Sequence, residues 1–368
     1  MNALEESRKK IDALDKEMTS LFEQRMAESR KIFEYKKANG LAVNDPAREA
    51  EVIEKNAQRI SDKEFREYYV NFEKNVIRLS NDYQTRLMKG LKVAYCGKPG
   101  AFAYAAAERT FPGSSKIAFS SFASAYKAVS DGECDIAVLP FENSFAGEVS
   151  SVTDLMFSGD LFVNQVVEFD VDHCLVACEG ASMKSIRKVY SHPQALMQCE
   201  AYIREKGFDA EETSSTADAA KMVSELGDPT VAAIAGKEAA ELYSLRILEA
   251  RINSSATNAT RFAVFSRALN LVKDKHRMGK RFILMFTVKN EAGSLAKALN
   301  IVGAHNYNMC NLHSRPMKTL MWNYYFFLEL EGDIATEDGS DMLRELGSVC
   351  DRLKLVGSWF KQPKTEKQ

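Results

Sequence analysis

The stretch "FEQRMAESRKIFEYK", residues 22–36, sets the reading of the first quarter of the chain. As a helix, extended back to the start, its positions at spacings of three and four are Arg8, Ile11, Asp15, Met18, Phe22, Arg25, Ser29, Ile32 and Lys36. Ile11, Met18, Phe22 and Ile32 belong on a buried seam. Arg8, Arg25 and Lys36 do not, because a buried cation costs several kcal/mol unless it is paired. Asp15 cannot balance these three and the nearby Arg48 together. Either the seam holds an internal salt-bridge network, or the long side chains snorkel outward, or the stripe lines a pocket for a small polyanion.

Residues 1–90 read as all helix, with one proline, Pro46, and one internal glycine, Gly40. Helices are expected over about 3–38, from Asp45 as N-cap with Pro46 at the first helical position, and over about 63–88. The third carries its own inward row: Val70, Glu73, Ile77, Ser80 and Gln84. Three helices of such unequal length cannot close a core around one long rod, so a dimer that pairs the long helices is expected.

The rhythm changes at "KVAYCG", 92–97. Short β-rich runs then alternate with helical stretches: "KIAFS" 116–120, "CDIAVLPF" 134–141, "KVYS" 188–191, "TVAAIA" 230–235 and "RFAVFSR" 261–267. That alternation predicts an α/β domain with mostly parallel sheets in two lobes, and binding groups in the loops after the strands. A polar, basic connector follows, "NLVKDKHRMGK", 270–280. Beyond it the order strand 281–289, helix 293–304, strand 309–315, strand 322–331, helix 337–348 and strand 352–360 is the ferredoxin-like pattern. The tail "KQPKTEKQ", 361–368, is expected to be disordered.

Over 368 residues the chain is 45% hydrophobic and 27% charged with formal net charge -2. This argues against a nucleic-acid or membrane-surface partner. No apolar run approaches the ~20 residues of a membrane span, and the charged N-terminus is no secretory signal. The seven cysteines form no C-x-x-C pair. Cys174 and Cys178 near His173 do not supply a four-ligand zinc site. Reduced, mostly buried thiols in a cytoplasmic protein are expected.

"SRKKIDALD" 7–15, "EQR" 23–25, "YKKANG" 35–40, "VNDPAREAEV" 43–52 and "SNDYQ" 80–84 together resemble the helical chorismate mutases. The resemblance implies a domain-swapped helical dimer. It casts Arg8, Arg25, Lys36, Asp45, Arg48, Glu49, Ser80 and Gln84 as the chorismate site, with Arg8 reaching in from the partner subunit. The residue types suit the chemistry. A pericyclic rearrangement needs no nucleophile or proton relay, only a dicarboxylate held compactly and donors aimed at the ether oxygen as charge develops there. Arginine forks suit the carboxylates, Lys36 and Gln84 suit the oxygen, and Glu49 and Ser80 suit the hydroxyl.

In the middle domain, "LPFENSFAGEVSSVTDL" 139–155, "YSHPQALMQC" 190–199 and "NATRFAVF" 258–265 place polar residues at strand ends. Singly such residues are often caps. In this order, with the glycine loop "CGKPGAFAYAAA" 96–107, they resemble prephenate dehydratase. The resemblance implies a two-lobed fold like that of periplasmic binding proteins and assigns Thr260 as the essential catalytic residue. Asn143, Ser144, His192 and Arg261 are candidate prephenate contacts, Arg261 equally a structural ion pair. Prephenate loses carboxylate and hydroxide together, and the leaving hydroxyl needs a proton or a strong hydrogen bond, which Thr260 is placed to donate. His192, a relay or bulk water are the candidate proton sources.

Residues 281–360 resemble an ACT domain. The turn "EAGSLAKAL" 291–299 with Gly293, Ser294 and Leu295, and "LHSRP" 312–316 with His313, Ser314, Arg315 and Pro316, stand where that family shapes a phenylalanine site. The family usually has glutamate at the position of His313, so weakened or altered feedback is expected beside plain retention of phenylalanine binding. The whole reading is three domains: all-α over 1–90, two-lobed α/β over 91–268 and ferredoxin-like α+β over 280–361. It implies a bifunctional mutase and dehydratase of phenylalanine biosynthesis. Chorismate and prephenate are its substrates, phenylalanine is its effector, and it is a homodimer or dimer of dimers with no cofactor and no metal. An arogenate-preferring dehydratase and a cytosolic small-molecule sensor are the alternatives.

Overall fold

The computed structural model describes residues 2–254, 258–271, 279–317 and 323–361. The middle of the connector, 272–278, and the tail from 362 lie outside the described residues. The chain forms two compact units, Met1–Leu91 and Lys92–Gln368.

The first unit is α1 (Ala3–Ala38), α2 (Pro46–Ala57) and α3 (Lys63–Lys89). Side chains set their starts. Asn2 and Glu5 form a capping box on α1, Asp45 accepts from the Arg48 N–H with Pro46 in the first turn, and Asp62 accepts from the Glu64 N–H. Of the expected inward row of α3, Glu73, Ile77, Ser80 and Gln84 are buried and Val70 is half-buried. The seam of α1 is only partly so. Ser29 and Phe33 are its buried residues, and Ile11, Met18, Phe22 and Ile32 are exposed. The rod is about 54 Å long at 1.5 Å per residue. Residues 3–24 are all exposed in the single chain, because α2 and α3 cover only its C-terminal part.

The second unit begins with a lobe of β1 (Lys92–Cys96), α4 (Phe102–Thr110), β2 (Ser115–Phe119), α5 (Phe122–Ser130), β3 (Ile136–Asn143), β4 (Gly147–Glu148), α6 (Ser150–Ser158) and β5 (Phe162–Asp170). The chain crosses into a second lobe of β6 (Cys174–Ala177), β7 (Lys188–Ser191), α7 (Pro193–Gln198), α8 (Glu200–Lys206), β8 (Asp209–Glu212), α9 (Thr216–Leu226), β9 (Val231–Ala235), α10 (Lys237–Leu242) and β10 (Arg246–Glu249). It returns to the first lobe in β11 (Ala259–Ser266). The remainder is β12 (Lys280–Thr287), α11 (Ser294–Ala304), β13 (Asn308–Pro316), β14 (Tyr324–Glu331), α12 (Glu337–Val349) and β15 (Arg352–Phe360), in the expected β-α-β-β-α-β order.

The sheets are mixed rather than mostly parallel. β1 runs parallel to β2 and β3, but β11 runs antiparallel to both β3 and β5. The physical reason is the double crossing. β5 leaves the first lobe and β11 comes back beside it, so the two run in opposite directions. The second sheet has order β10-β6-β9-β7-β8, and β6 is antiparallel to β9.

One sheet continues from the first lobe into the ferredoxin-like part, in the order β13-β14-β12-β15-β5-β11-β3-β1-β2. The seam is β15 against β5, paired in parallel through Gly357 and Val163. A Cβ at Gly357 would run into the backbone carbonyl of Val163, so only glycine lets the strands approach this closely. Both sides of the seam feed one core, with Val163, Leu161 and Met156 against Val356, Trp359, Met285 and Phe327. Tyr325 stacks on Phe157 with ring centroids 4.4 Å apart. Lys354 and Arg352 of β15 donate to the Met156 and Phe157 carbonyls at the end of α6, at 2.6 and 2.9 Å. Burial, with Arg352 beside it, pushes the Lys354 ammonium down to about 8.

Among the described residues no helix is long and apolar enough to cross a membrane. The thiols are less uniformly inside than expected. Cys134, Cys174 and Cys199 are buried, Cys96, Cys178 and Cys350 half-buried, and Cys310 exposed.

The seam gives a direct test. Gly357→Val should cost about 2 kcal/mol or more by overpacking and lower the Tm of the second unit by roughly 5 °C. Calorimetry of the full chain checks this, and a Tm within 1 °C of the parent, on the order of a few tenths of a kcal/mol, would refute the close-approach reading.

Candidate active sites

In the first unit the structure gathers part of the predicted set between α1 and α3. Arg25 donates to the Ser80 hydroxyl and, at 3.4 Å, to the Val76 carbonyl. Gln84 Nε2 donates to Ser29 Oγ at 3.0 Å, and Gln84 Oε1 is buried with no partner among the described residues. Glu49 of α2 accepts from Asn81 Nδ2 at 2.8 Å and lines a cavity of about 340 Å³ beside α3 with Asn44, Ile53 and Ile77. Lys36 Nζ donates to the Val43 carbonyl at 2.5 Å, in the turn that leads to the Asp45 cap.

Two predicted residues lie elsewhere. Arg48 is exposed and pairs with Glu51 at 2.6 Å along its own helix. Arg8 is exposed and seventeen residues before Arg25, about 25 Å along the rod. It cannot reach the Arg25 cluster of its own chain while α1 is straight.

In the second unit a cleft of about 390 Å³ is lined from both lobes. Its walls include Phe102, Asn143, His173, His192, Gln198 and Thr260. Thr260 stands opposite Asn143 in the β11–β3 ladder and is 9% exposed. The Asn143 side chain makes a tight turn in which its Oδ1 accepts from the Phe145 and Ala146 N–H groups at 3.0 and 2.8 Å. That fixes which end of the amide is nitrogen. Nδ2 therefore faces Thr260 Oγ1 at 3.0 Å, Asn258 Oδ1 at 3.0 Å and the Ala259 carbonyl at 3.2 Å. Thr260 Oγ1 accepts from the amide, which leaves its own hydrogen to donate.

The same logic runs further. Asn258 Nδ2 donates to Gln198 Oε1 at 3.1 Å, so that oxygen is an acceptor, and His173 Nε2 at 2.8 Å from it carries the hydrogen. His173 Nδ1 is left with its lone pair, buried and without a hydrogen-bond partner among the described residues. The Phe102 ring meets the imidazole edge-on, centroids 5.5 Å apart. The glycine loop thus adds an apolar wall. His173, Gln198 and Asn258 were not singled out for this cleft from sequence. His173 lies at the crossing into the second lobe, and Gln198 lies one turn beyond Gln194 in the "SHPQALMQ" stretch. Spacing alone does not bring them to Asn143.

Two residues read as prephenate contacts are not in the cleft. Side chains alternate along β11, so Arg261 points away from the face that carries Thr260. Its Nη1 donates to Glu142 at 2.6 Å, its two terminal nitrogens reach Glu329 at 2.8 Å each, and its guanidinium lies 4.9 Å from the Phe141 ring centroid. Ser144 is exposed, accepts from the Ala259 N–H at 2.9 Å and knits the loop to β11. His192 does line the cleft, and its Nδ1 accepts from the Gln194 N–H at 3.2 Å as the cap of α7.

In the ferredoxin-like part Gly293 takes φ +84 immediately before α11, a conformation that favours glycine. Ser294 and Leu295 open the helix. Thr287 and Arg315 both pair with Tyr325, so the β12–α11 turn and the end of β13 lie at one end of the sheet, two strands or about 10 Å apart. His313 and Arg315 face the first lobe. His313 Nε2 lies 3.2 Å from Glu148 and its ring stacks on Phe327, while Arg315 contacts Asp154, Tyr325 and Ser150. Ser314 and Pro316 alternate to the exposed side.

Comparison with known proteins follows this division. Residues 7–85 match the family model for chorismate mutase type II, and residues 93–270 match the model for prephenate dehydratase. The bifunctional chorismate mutase/prephenate dehydratase of Aquifex aeolicus is 31% identical over 371 residues, covering 98% of this chain and 99% of that protein. Among solved structures, a quorum-quenching acylase aligns with TM-score 0.68 and 31% identity over 74% of this chain and 98% of that one. A prephenate dehydratase from Arthrobacter aurescens, in complex with L-Phe, aligns with TM-score 0.67 and 24% identity over 75% and 92%. The two units are those of a fused isomerase and lyase. The chain belongs to the bifunctional chorismate mutase/prephenate dehydratase family.

The histidines report on these environments. Burial holds His173 below its ordinary value against the bond it donates to Gln198, and burial likewise lowers His313 against the pull of Glu148. The Asp338 hydrogen bond raises His305. An imidazole NMR titration should therefore place His305 above about 6.5 and His173 and His313 below it. The stabilising pair at His305 is fully present below the unfolded value and is lost as pH rises through the raised one. The reverse order of His173 and His305 would contradict the placement of both rings.

Proposed function

We propose that residues 1–90 rearrange chorismate, residues 91–268 convert the resulting prephenate to phenylpyruvate, and residues 280–361 form an ACT domain through which phenylalanine restrains the second step. That both reactions belong to this chain follows from its family. The observation that carries the assignment of residues is the Asn143–Thr260 pair in the cleft.

In the mutase step the substrate carboxylates sit on Arg25 and on Arg8 of a second copy, with Arg48 swinging in from Glu51. Lys36 and Gln84 donate to the ether oxygen as its bond breaks, when their attraction is worth most. Glu49 and Ser80 hold the hydroxyl, and Asp45 fixes the start of α2 beside them. The exposed apolar face of α1, with Leu4, Ile11, Met18 and Phe22, supports an α1-to-α1 homodimer or a dimer of such dimers.

In the dehydratase step the C1–carboxylate bond of prephenate breaks to release carbon dioxide. Its electrons aromatise the ring, and the C4 hydroxyl leaves. Thr260, its oxygen accepting from Asn143, donates its hydrogen to that leaving oxygen. The proton that completes water comes from solvent or from His192. Phe102 packs against the ring. No cofactor enters either step, and the setting is cytoplasmic.

Three measurements test this reading. Lys36→Ala should lower mutase turnover roughly 10²–10³-fold, as loss of a donor to developing charge does, and Arg25→Ala should lower it roughly 10²-fold by loosening the held geometry, with dehydration of supplied prephenate kept. Near-normal mutase turnover in either would remove the cation-pocket assignment. Thr260→Ala should lose most dehydratase activity, while Thr260→Ser keeps part of it through the retained hydroxyl. Equal loss in both would point to methyl packing instead. The same assay with arogenate in place of prephenate decides substrate preference.

For feedback, neutral His313 is the form that accepts a hydrogen bond, and its titration is lowered by burial. Inhibition by phenylalanine should strengthen as pH rises through a value below about 6.5 and be level above it. Inhibition curves between pH 5.5 and 8 check this, and an unchanged profile in His313→Gln would remove His313 from the response.

A further inference from the structure

Thr260 and Arg261 are neighbours on β11, and their partners across the ladder, Asn143 and Glu142, are neighbours on β3. One pair faces the cleft and the other faces the ferredoxin-like part. Immediately beyond them the ladder is irregular. Arg261 pairs with Glu142 but Phe262 pairs with Pro140, so Phe141 is the extra residue of a bulge. Pro140 has no N–H to give the ladder. The ladder on this side of the Thr260 segment is thus interrupted at Phe141.

A side-chain clamp stands in that place. Arg261 spans Phe141, binds Glu142 of the neighbouring strand β3 and reaches across to Glu329 of β14 with both terminal nitrogens. Glu329 is fully buried, at 0% exposure, and also accepts from Arg281 of β12 at 3.0 Å, while Arg281 reaches Glu331 at 2.7 Å. Planar, two-pronged binding fixes the guanidinium in orientation as well as position. Glu142 in turn receives Asn311 of β13 at 3.4 Å.

We propose that Glu329, in the ferredoxin-like part, is a positioning residue for dehydration: through Arg261 it holds the β3–β11 ladder in the register that places the Thr260 hydroxyl. The proposal rests on the reading of Thr260 as the donor to the leaving group. It makes Glu329 the point at which any shift of β14 is felt in the cleft, since the carboxylate has no solvent to turn to.

The test is a double-mutant cycle on the full chain with prephenate as substrate. Glu329→Gln keeps the shape and removes the charge. It should lower kcat roughly tenfold, within the range that small misplacements of a reacting group produce. KM should stay within about twofold, and mutase turnover should be unchanged. In a Thr260→Ala background the same change should cost nothing further, because no hydroxyl remains to place; coupling of this kind is what the cycle isolates. Arg261→Lys, which keeps the charge and loses the fork, should reproduce the kcat loss and serves if Glu329→Gln fails to fold. An unchanged kcat in Glu329→Gln with Thr260→Ala inactive overturns the proposal, as does an equal fold-loss in both backgrounds or a loss confined to KM. Full activity of Thr260→Ala removes instead the reading on which the proposal stands.

Discussion

The alternation of side chains along β11 is the constraint on which the second unit turns. Successive residues must face opposite sides of a strand. Thr260 can enter the cleft only if Arg261 enters the space behind the sheet, and a buried guanidinium there requires anions. Glu142 and Glu329 supply them. Removing a buried charge's partner is costly because the other charge is left unpaired, so the fully buried Glu329 depends on its arginines. Gly357 adds the second half of the same constraint. Without a side chain it lets β15 join β5, and the ferredoxin-like sheet then lies where Glu329 can meet Arg261.

On the cleft side, order is made by amides. Asn143 is oriented by two backbone N–H groups, Gln198 by Asn258, and His173 by Gln198. Each bond fixes the donor or acceptor role of the next group. The result is a hydroxyl on Thr260 with its hydrogen free and an imidazole lone pair on His173 buried at the cleft wall. Such chains are worth more than their separate bonds only when every member is satisfied, and a lone pair left over at the wall is a place for a donor.

The helical unit follows a different rule. Its core is completed not by covering α1 but by leaving half of it bare. Ser29 and Phe33 are covered, and residues 3–24 stay exposed. A helix has no way to bury a stripe beyond the reach of its neighbours. The polar row Arg25, Ser80, Ser29 and Gln84 is held together within one chain, while Arg8 lies a rod's half-length away.

Much of this is legible in the sequence because it is periodic or local. The three helices and their caps, the inward row of α3, the strand-end polar stretches and the β-α-β-β-α-β order follow from spacing, capping chemistry and turn residues. These depend on neighbours within a few positions. What the sequence left open is set by contacts between residues far apart in the chain. Arg261 reads equally as a substrate contact or an ion pair until Glu329, 68 positions on, is seen against it. Ser144 reads as a site residue until its bond to Ala259 is seen. His173 joins the cleft only because β5 carries the chain from one lobe to the other, and the mixed sheet arises from that same double crossing. Its period gives Ile32 a buried place, yet Phe33 holds it, because the covering helices decide which arc of α1 faces inward. Periodicity names the faces of each element; only the packing of elements against one another decides what each face meets.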